Sequence, residues 1–127
     1  MKIKNLIDDK YKFWTKDFNQ EVSGLYAGDY LSNVLRNGER KNALITVITN
    51  MNALAVAVML EMPLIVFTEG NVPTKDMIDK ANEEKVTLVS TNQKSYECII
   101  DFKEKGLIWY TTMICIFIRF YRLVQKC

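Results

Sequence analysis

The chain has 127 residues, of which 49% are apolar and 25% charged, and this composition is typical of one folded domain. It excludes a disordered, collagen-like or disulfide-scaffold protein. The absence of histidine excludes Ser-His-Asp catalysis, Cys-His catalysis and histidine-ligated metal sites. The net charge of +2 is unevenly spread, because residues 1–106 hold 14 Lys/Arg and 15 Asp/Glu, whereas residues 107–127 hold three cations and no acid. The body therefore lacks the basic run that would predict nucleic-acid binding.

The first third of the chain predicts short elements. Apolar residues at helical spacing between residues 3 and 11 indicate a short amphipathic helix, and residues 12–19 are loop-like. Residues 21–27 are typical of a short strand. Asp29 is expected to cap the next helix, which ends at Asn37-Gly38, a pair typical of helix C-termini.

The middle of the chain alternates between apolar, β-branched runs and amphipathic segments. The runs predict buried strands, and the segments between them predict helices joined by short loops. The predicted strands are residues 43–48, 64–67 and 86–89, and the predicted helices are residues 53–62, 74–85 and 94–105. This order predicts a three-layer α/β fold, in which right-handed crossovers build a parallel sheet with helices on both faces.

The chain carries no familiar catalytic motif. It lacks a Walker phosphate-binding loop, the three-glycine dinucleotide fingerprint and a nucleophile elbow. Two carboxylate pairs, Asp8-Asp9 and Glu83-Glu84, are interpreted as solvated helix faces. No catalytic residue is therefore assigned.

The cysteines and the N-terminus bear on cofactors and location. Cys98, Cys115 and Cys127 are too widely spaced to predict a metal site, so neither a metal nor another cofactor is expected. They are interpreted as free thiols in a reducing compartment. Charges interrupt the apolar residues of the N-terminus, which does not resemble a signal peptide, and a cytoplasmic location is expected.

Polar side chains follow each of the three predicted central strands. They lie in Thr49–Asn52, Thr68–Asn71 and Ser90–Asn92. In open α/β sheets, ligands bind outside the carboxyl ends of the strands, near helix N-termini that attract anions. Hydroxyl and amide groups at this edge suit a small anion or a nucleotide, although the same residue types also cap helices.

The order of several segments resembles the DRTGG domain family across residues 2–107. The resemblance begins at residues 21–24 and 29–35, continues through 44–50 and 65–67, and ends at 88–91, 96–98 and 106–107. Where the family has Asp-Arg-x-Thr-Gly-Gly, the chain reads Asn-Gln-Glu-Val-Ser-Gly-Leu, so the acid, the base and the second glycine are missing. The family's Ser-Asp pair in the following helix stands here as Ser32-Asn33.

The resemblance implies an α/β domain related to the N-terminal domain of HPr kinase, with a regulatory or dimerising role rather than catalysis. Domains of this family are attached to phosphotransacetylases and to regulated pyrophosphatases. The motif positions and the polar strand ends together give the candidate ligand-binding residues, which are Ser23, Asp29, Ser32, Thr49, Asn50, Asn52, Ser90, Thr91 and Asn92.

Residues 107–127 are interpreted as a C-terminal extension outside the family pattern, which leaves residues 1–106 as the DRTGG-like domain. Fifteen of these 21 residues are apolar. A membrane-spanning helix needs about 20 apolar residues, and the uncharged run at 107–118 is shorter. Three interpretations stay open: packing on the body or across a dimer interface, which is favoured; contact with a membrane surface; or an unselected extension. The β-branched and aromatic content favours a strand if the segment is ordered in water.

Three functions are consistent with these patterns. The favoured one is a non-catalytic, cytoplasmic, homodimeric regulatory domain that senses a small anion or a nucleotide and docks to an unknown protein partner. The alternative is a small enzyme acting on a phosphorylated metabolite, which would need Asp29 or Glu69 as its acid/base because histidine is absent. The third is a purely structural dimerisation module. No nucleic-acid partner is expected.

Overall fold

Strands and helices alternate along the chain in a mixed α/β fold. The computed structural model describes residues 1–107, so the interpretations of the C-terminal extension after Leu107 lie outside the described residues. A 3₁₀ turn at Ile3–Asn5 precedes the first strand. The strands are β1 (Tyr11–Phe13), β2 (Gly24–Ala27), β3 (Asn42–Thr46), β4 (Leu64–Phe67) and β5 (Thr87–Thr91). The helices are α1 (Leu31–Asn37), α2 (Met51–Met59), α3 (Lys75–Glu84) and α4 (Ser95–Glu104).

The sheet has the strand order β1-β5-β4-β3-β2. Strands β2 to β5 are parallel, as the alternation of strands and helices predicts, and β1 pairs antiparallel with β5. Every residue of β3, β4 and β5 is buried, because each of these strands lies inside the sheet with both faces covered. The three predicted central strands are therefore confirmed. Strand β3 ends at Thr46, earlier than predicted, and β5 continues to Thr91.

Two apolar clusters cover the two faces of the sheet. Alternate residues of each strand point to opposite faces, so that in β4 Leu64 and Val66 join one cluster while Ile65 and Phe67 join the other. On one face, helices α1, α2 and α3 supply the buried residues Val34, Leu54, Ala57, Met77 and Ala81. On the other face, helix α4 and the N-terminal segment supply Cys98, Phe102, Ile3 and Leu6. The N-terminal segment is thus part of the core.

The predicted helix at residues 3–11 is wrong. The chain makes one 3₁₀ turn and then enters β1, where Tyr11 pairs with Thr91 and Phe13 pairs with Val89. The segment predicted as a loop from residue 12 accordingly begins within this strand. Pairing with a buried strand satisfies the backbone groups of residues 11–13, and it overrides a helical pattern that was only two turns long.

The helix ends test the predicted caps. Asn50 caps α2 by accepting from the backbone N–H of Asn52 at 3.0 Å, and Thr74 caps α3 by accepting from Met77 N at 3.3 Å. The cap predicted at Asp29 is wrong, because the N-cap position of α1 is Tyr30, which makes no side-chain cap.

None of the helices within residues 1–107 is long and apolar enough to cross a membrane.

Candidate functional site

The carboxyl ends of β4 and β5 meet the amino end of β1 at one edge of the sheet, because β1 runs antiparallel to β5. The loop after β4 is bound to the chain after β5. The N–H of Glu69 donates to the carbonyl of Gln93 at 2.8 Å, and the N–H of Gly70 donates to the carbonyl of Thr91 at 3.0 Å. Glu69 and Gly70 both adopt left-handed backbone angles, with φ of 59° and 75°. A sharp turn, held by two backbone hydrogen bonds, therefore borders this edge of the sheet.

A groove of about 420 Å³ opens between this turn and strand β1. This volume lies within the range of about 300–1,000 Å³ that is usual for small-molecule sites. Its lining residues come from β1 and its flanks, the β4–α3 loop and the end of β5. They are Asp9, Lys10, Tyr11, Lys12, Trp14, Gly70, Val72, Ser90, Thr91 and Asn92. We call this feature the β1–β5 groove.

An aromatic platform with a cation lies in the β1–β5 groove. The half-buried Trp14 donates from Nε1 to the hydroxyl of Ser90 at 2.8 Å, and this bond fixes the orientation of the indole ring. The ammonium of Lys12 lies 4.2 Å from the centre of that ring. Lys12 is exposed, and among residues 1–107 it forms no ion pair. The groove therefore presents an aromatic ring and a cation that makes no ion pair within residues 1–107.

A second polar cluster lies at the carboxyl end of β3, near the start of α1. One oxygen of the Asp29 carboxylate accepts from the Thr46 hydroxyl at 2.9 Å and from the backbone N–H of Val47 at 2.8 Å. The Thr46 hydroxyl in turn accepts from the N–H of Ile48 at 3.2 Å. Asp29 therefore joins two loops, and this contact explains why it does not cap α1. In residues 1–107, no group of three or more Cys, Asp or Glu side chains is placed to hold a metal ion.

The structure divides the candidate ligand-binding residues among three places. Ser90, Thr91 and Asn92 line the β1–β5 groove. Near the carboxyl end of β3 or the start of α1 lie Asp29, Ser32, Thr49, Asn50 and Asn52. Ser23 precedes β2 and so lies at the opposite end of the parallel strands, where its N–H donates to Lys41 O at 2.9 Å. The nine residues therefore do not form one site.

Lys12 and Trp14 line the groove but are not among the residues that the sequence pattern singles out. Both fall in the segment whose sequence predicts a loop. Tyr11, Phe13 and Trp14 are aromatic residues of high β-propensity, and this was the available signal for a strand. Only the pairing of β1 with β5 brings Trp14 to Ser90, which is 76 residues away in the chain.

A charged cluster beside the groove binds β1 to α4. Lys105 lies 2.6 Å from Asp8, 2.8 Å from Asp101 and 2.7 Å from the carbonyl of Leu6, and the Tyr11 hydroxyl donates to Asp101 at 2.6 Å. Lys10 completes the cluster at 2.7 Å from Asp8. We call these five side chains, Asp8, Lys10, Tyr11, Asp101 and Lys105, the α4 clamp.

The α4 clamp shifts the pKa values of its members. Hydrogen bonds from Lys10 and Lys105 hold the pKa of Asp8 well below its usual range. Burial raises the pKa of Asp101, but hydrogen bonds from Lys105 and Tyr11 outweigh it, so that the pKa lies below the ordinary value. Burial and the bond to Asp101 raise the pKa of Tyr11. Burial also raises the pKa of the neighbouring Cys98 thiol to about 11. The clamp therefore favours two charged carboxylates beside a neutral phenol and a neutral thiol.

Comparison with known proteins gives a structural match alone. No protein-family model matches the chain, and no curated protein matches it. The fold is similar to the CBS and DRTGG domains of the regulatory region of Clostridium perfringens pyrophosphatase, whose crystal structure contains the activator diadenosine tetraphosphate. The TM-score is 0.69 at 16% sequence identity, and the match covers 81% of this chain and 46% of that chain. This likeness supports a DRTGG-related fold. The chain spans about half the length of the structure it matches.

Proposed function

We propose that this chain is a non-catalytic regulatory domain that senses a nucleotide at the edge of its sheet where β1, β4 and β5 meet. The observation that carries the proposal is the β1–β5 groove, in which an exposed ammonium that has no carboxylate partner among residues 1–107 adjoins polar residues at the end of a strand. The fold supports the same function, because the similar pyrophosphatase region is regulatory and was solved with a nucleotide activator.

We further propose that the domain is a cytoplasmic homodimer, which passes the binding signal to a protein partner by docking. Its layers resemble those of the N-terminal domain of HPr kinase, with helices on both faces of the sheet. The two apolar clusters on opposite faces of the sheet support this layering. Sedimentation at micromolar concentration tests the dimer, and a monomer there would contradict it.

A thermal-shift panel tests nucleotide sensing. The probes are diadenosine tetraphosphate, ATP, ADP and AMP at millimolar concentration, with inorganic phosphate and adenosine as controls for the two halves of the ligand. A ligand at about 100 times its Kd stabilises the folded state by about 2.7 kcal/mol. For a chain of this length, that corresponds to a rise in Tm of roughly 8–13 °C. If no nucleotide raises Tm, the proposed function is wrong.

A further inference from the structure

The indole of Trp14 is held as a fixed wall of the β1–β5 groove. One end of the ring is bound to Ser90, and the ring packs against the core cluster formed by α1, α2 and α3. A half-buried tryptophan with its single donor already satisfied recognises ligands through the face and edge of its ring. The groups that such a ring binds best are cations and other flat aromatic rings.

Lys12 differs from the other lysine that lines the groove. The Lys10 ammonium lies 2.7 Å from Asp8 and 3.5 Å from Asp101, so its charge is neutralised within the α4 clamp. Lys12 is exposed and contacts the ring of Trp14 at 4.2 Å. A cation–π contact at an exposed site is weak, so a phosphate can draw this ammonium away from the ring while a base takes its place.

The remaining walls of the groove offer hydrogen-bonding groups. The Ser90 hydroxyl accepts from Trp14 and keeps its own proton to donate. Asn92 is exposed, and its side-chain amide carries both a donor and an acceptor. It lies beside Gly70, where an added Cβ would be 3.4 Å from the Asn92 Oδ1. Asp9 also lines the groove, and its carboxylate is an acceptor suited to hydroxyl groups such as those of a ribose. Aromatic, cationic and acceptor groups thus line one groove.

We infer that the β1–β5 groove binds a nucleoside phosphate, with the base stacked on Trp14 and a phosphate paired with Lys12. This inference rests on the proposed function, which already places the nucleotide at this edge of the sheet, and adds to it the class of ligand and the roles of two residues. Ser90 and Asn92 bind the polar edge of the base, and Asp9 accepts from the ribose. The Asp29 cluster at the end of β3 has no part in binding.

The experiment is isothermal titration of the full chain with ATP and with diadenosine tetraphosphate. Trp14→Leu is expected to weaken binding by about 5- to 150-fold, because base–aromatic stacking is worth roughly 1–3 kcal/mol. Trp14→Phe keeps a ring and is expected to lose less affinity. Lys12→Gln is expected to weaken the binding of ATP more than that of adenosine, and its effect is expected to shrink as salt is added.

A second cation–aromatic pair supplies the matched controls. The Lys16 ammonium lies 5.2 Å from the ring of Phe18, and neither residue lines the β1–β5 groove. Lys16→Gln and Phe18→Leu are expected to leave nucleotide affinity within twofold of the unaltered chain. Circular dichroism shows whether each variant is folded. If Trp14→Leu does not fold, the nucleotide affinities of Trp14→Phe and Lys12→Gln test the inference instead.

The outcomes separate the inference from the proposed function. Loss of affinity in the Trp14 and Lys12 variants, with the controls unchanged, supports both. If the unaltered chain binds nucleotides and folded Trp14 and Lys12 variants bind equally well, the roles assigned to these two residues are wrong, while nucleotide sensing by the domain stands. If the unaltered chain binds no nucleotide, both are wrong.

Discussion

Removal of the Lys105 ammonium is expected to weaken the attachment of the N-terminal segment to α4. Lys105→Met keeps a stem of similar length, so it tests the charge more than the packing. The change removes the ammonium from two carboxylates and from the carbonyl of the buried Leu6. The Asp101 side chain is only 12% exposed and the Lys105 side chain 21%, so solvent screens this pair less than an ordinary surface pair.

The magnitude follows from these contacts. A hydrogen bond to a charged group contributes about 1.5–3 kcal/mol, and we assign the lower end to the pair with Asp101. The more exposed contact with Asp8 adds about 0.5 kcal/mol. Lys105→Met is therefore expected to lower the free energy of unfolding by about 2 kcal/mol and Tm by roughly 6–10 °C at pH 7. Urea unfolding measures the change in the free energy of unfolding, and a thermal scan measures the change in Tm.

Acid supplies an independent check of the same contacts. The pKa values of Asp8 and Asp101 are lowered in the folded chain, so their contribution to stability is present above the ordinary Asp pKa of about 3.9. It is lost as the pH falls below that value toward the lowered pKa values. The difference in stability between the unaltered chain and Lys105→Met is therefore expected to be largest at pH 7 and to shrink toward pH 3.

Lys80 provides the matched control for this prediction. It pairs with Glu83 and Glu84 on the surface of α3, and its side chain is 49% exposed. Lys80→Met is expected to change the free energy of unfolding by no more than about 0.5 kcal/mol. Equal stability of the two variants at pH 7, or a Lys105 effect that grows in acid, would refute the reasoning.

Two further predictions concern α3 and the buried thiol. Thr74→Ala removes the hydroxyl that accepts from Met77 N, and it is expected to lower the free energy of unfolding by about 1 kcal/mol in urea; no loss would mean that the cap contributes nothing. Cys98 is buried and its thiol pKa is raised to about 11, so at pH 8 its peptide is expected to stay unlabelled by a thiol reagent until denaturant is added. Mass spectrometry of the digested protein checks this, and rapid labelling of Cys98 in the folded chain would contradict it.

The central part of the fold could be predicted because its signals are local. The apolar run at residues 64–67 coincides with β4, and the caps at Asn50 and Thr74 follow from side chains two and three residues from their partners. A parallel sheet then follows from the alternation of such strands with helices. The structural similarity to the pyrophosphatase region supports the DRTGG-related fold that the sequence resemblance implied.

Strand β1 could not be predicted with the same ease. It has three residues, and its pairing partners in β5 lie about 80 positions later in the chain. Asp8 likewise resembles a solvated surface acid in sequence, yet it contacts Lys105 at 2.6 Å across the α4 clamp. Asp29 has the residue type of a helix cap, and only the fold shows that its carboxylate instead accepts hydrogen bonds from Thr46 and Val47. Long-range pairing decides all three cases.

The sequence reasoning placed three of its nine candidate ligand-binding residues in what the structure shows as the β1–β5 groove, and it did not include Lys12 or Trp14. The rule that ligands bind at the carboxyl ends of parallel strands points to Ser90, Thr91 and Asn92, and these residues line the β1–β5 groove. That rule takes no account of an antiparallel edge strand, which brings its own amino end to the same edge. Lys12 and Trp14 reach the groove through that strand.

Direct titration of the full chain with diadenosine tetraphosphate and ATP tests the central claim most directly. We expect saturable binding with about one site per chain, accompanied by quenching of tryptophan fluorescence that Trp14→Phe largely abolishes. Absence of heat and of quenching at millimolar nucleotide would contradict nucleotide sensing by this domain.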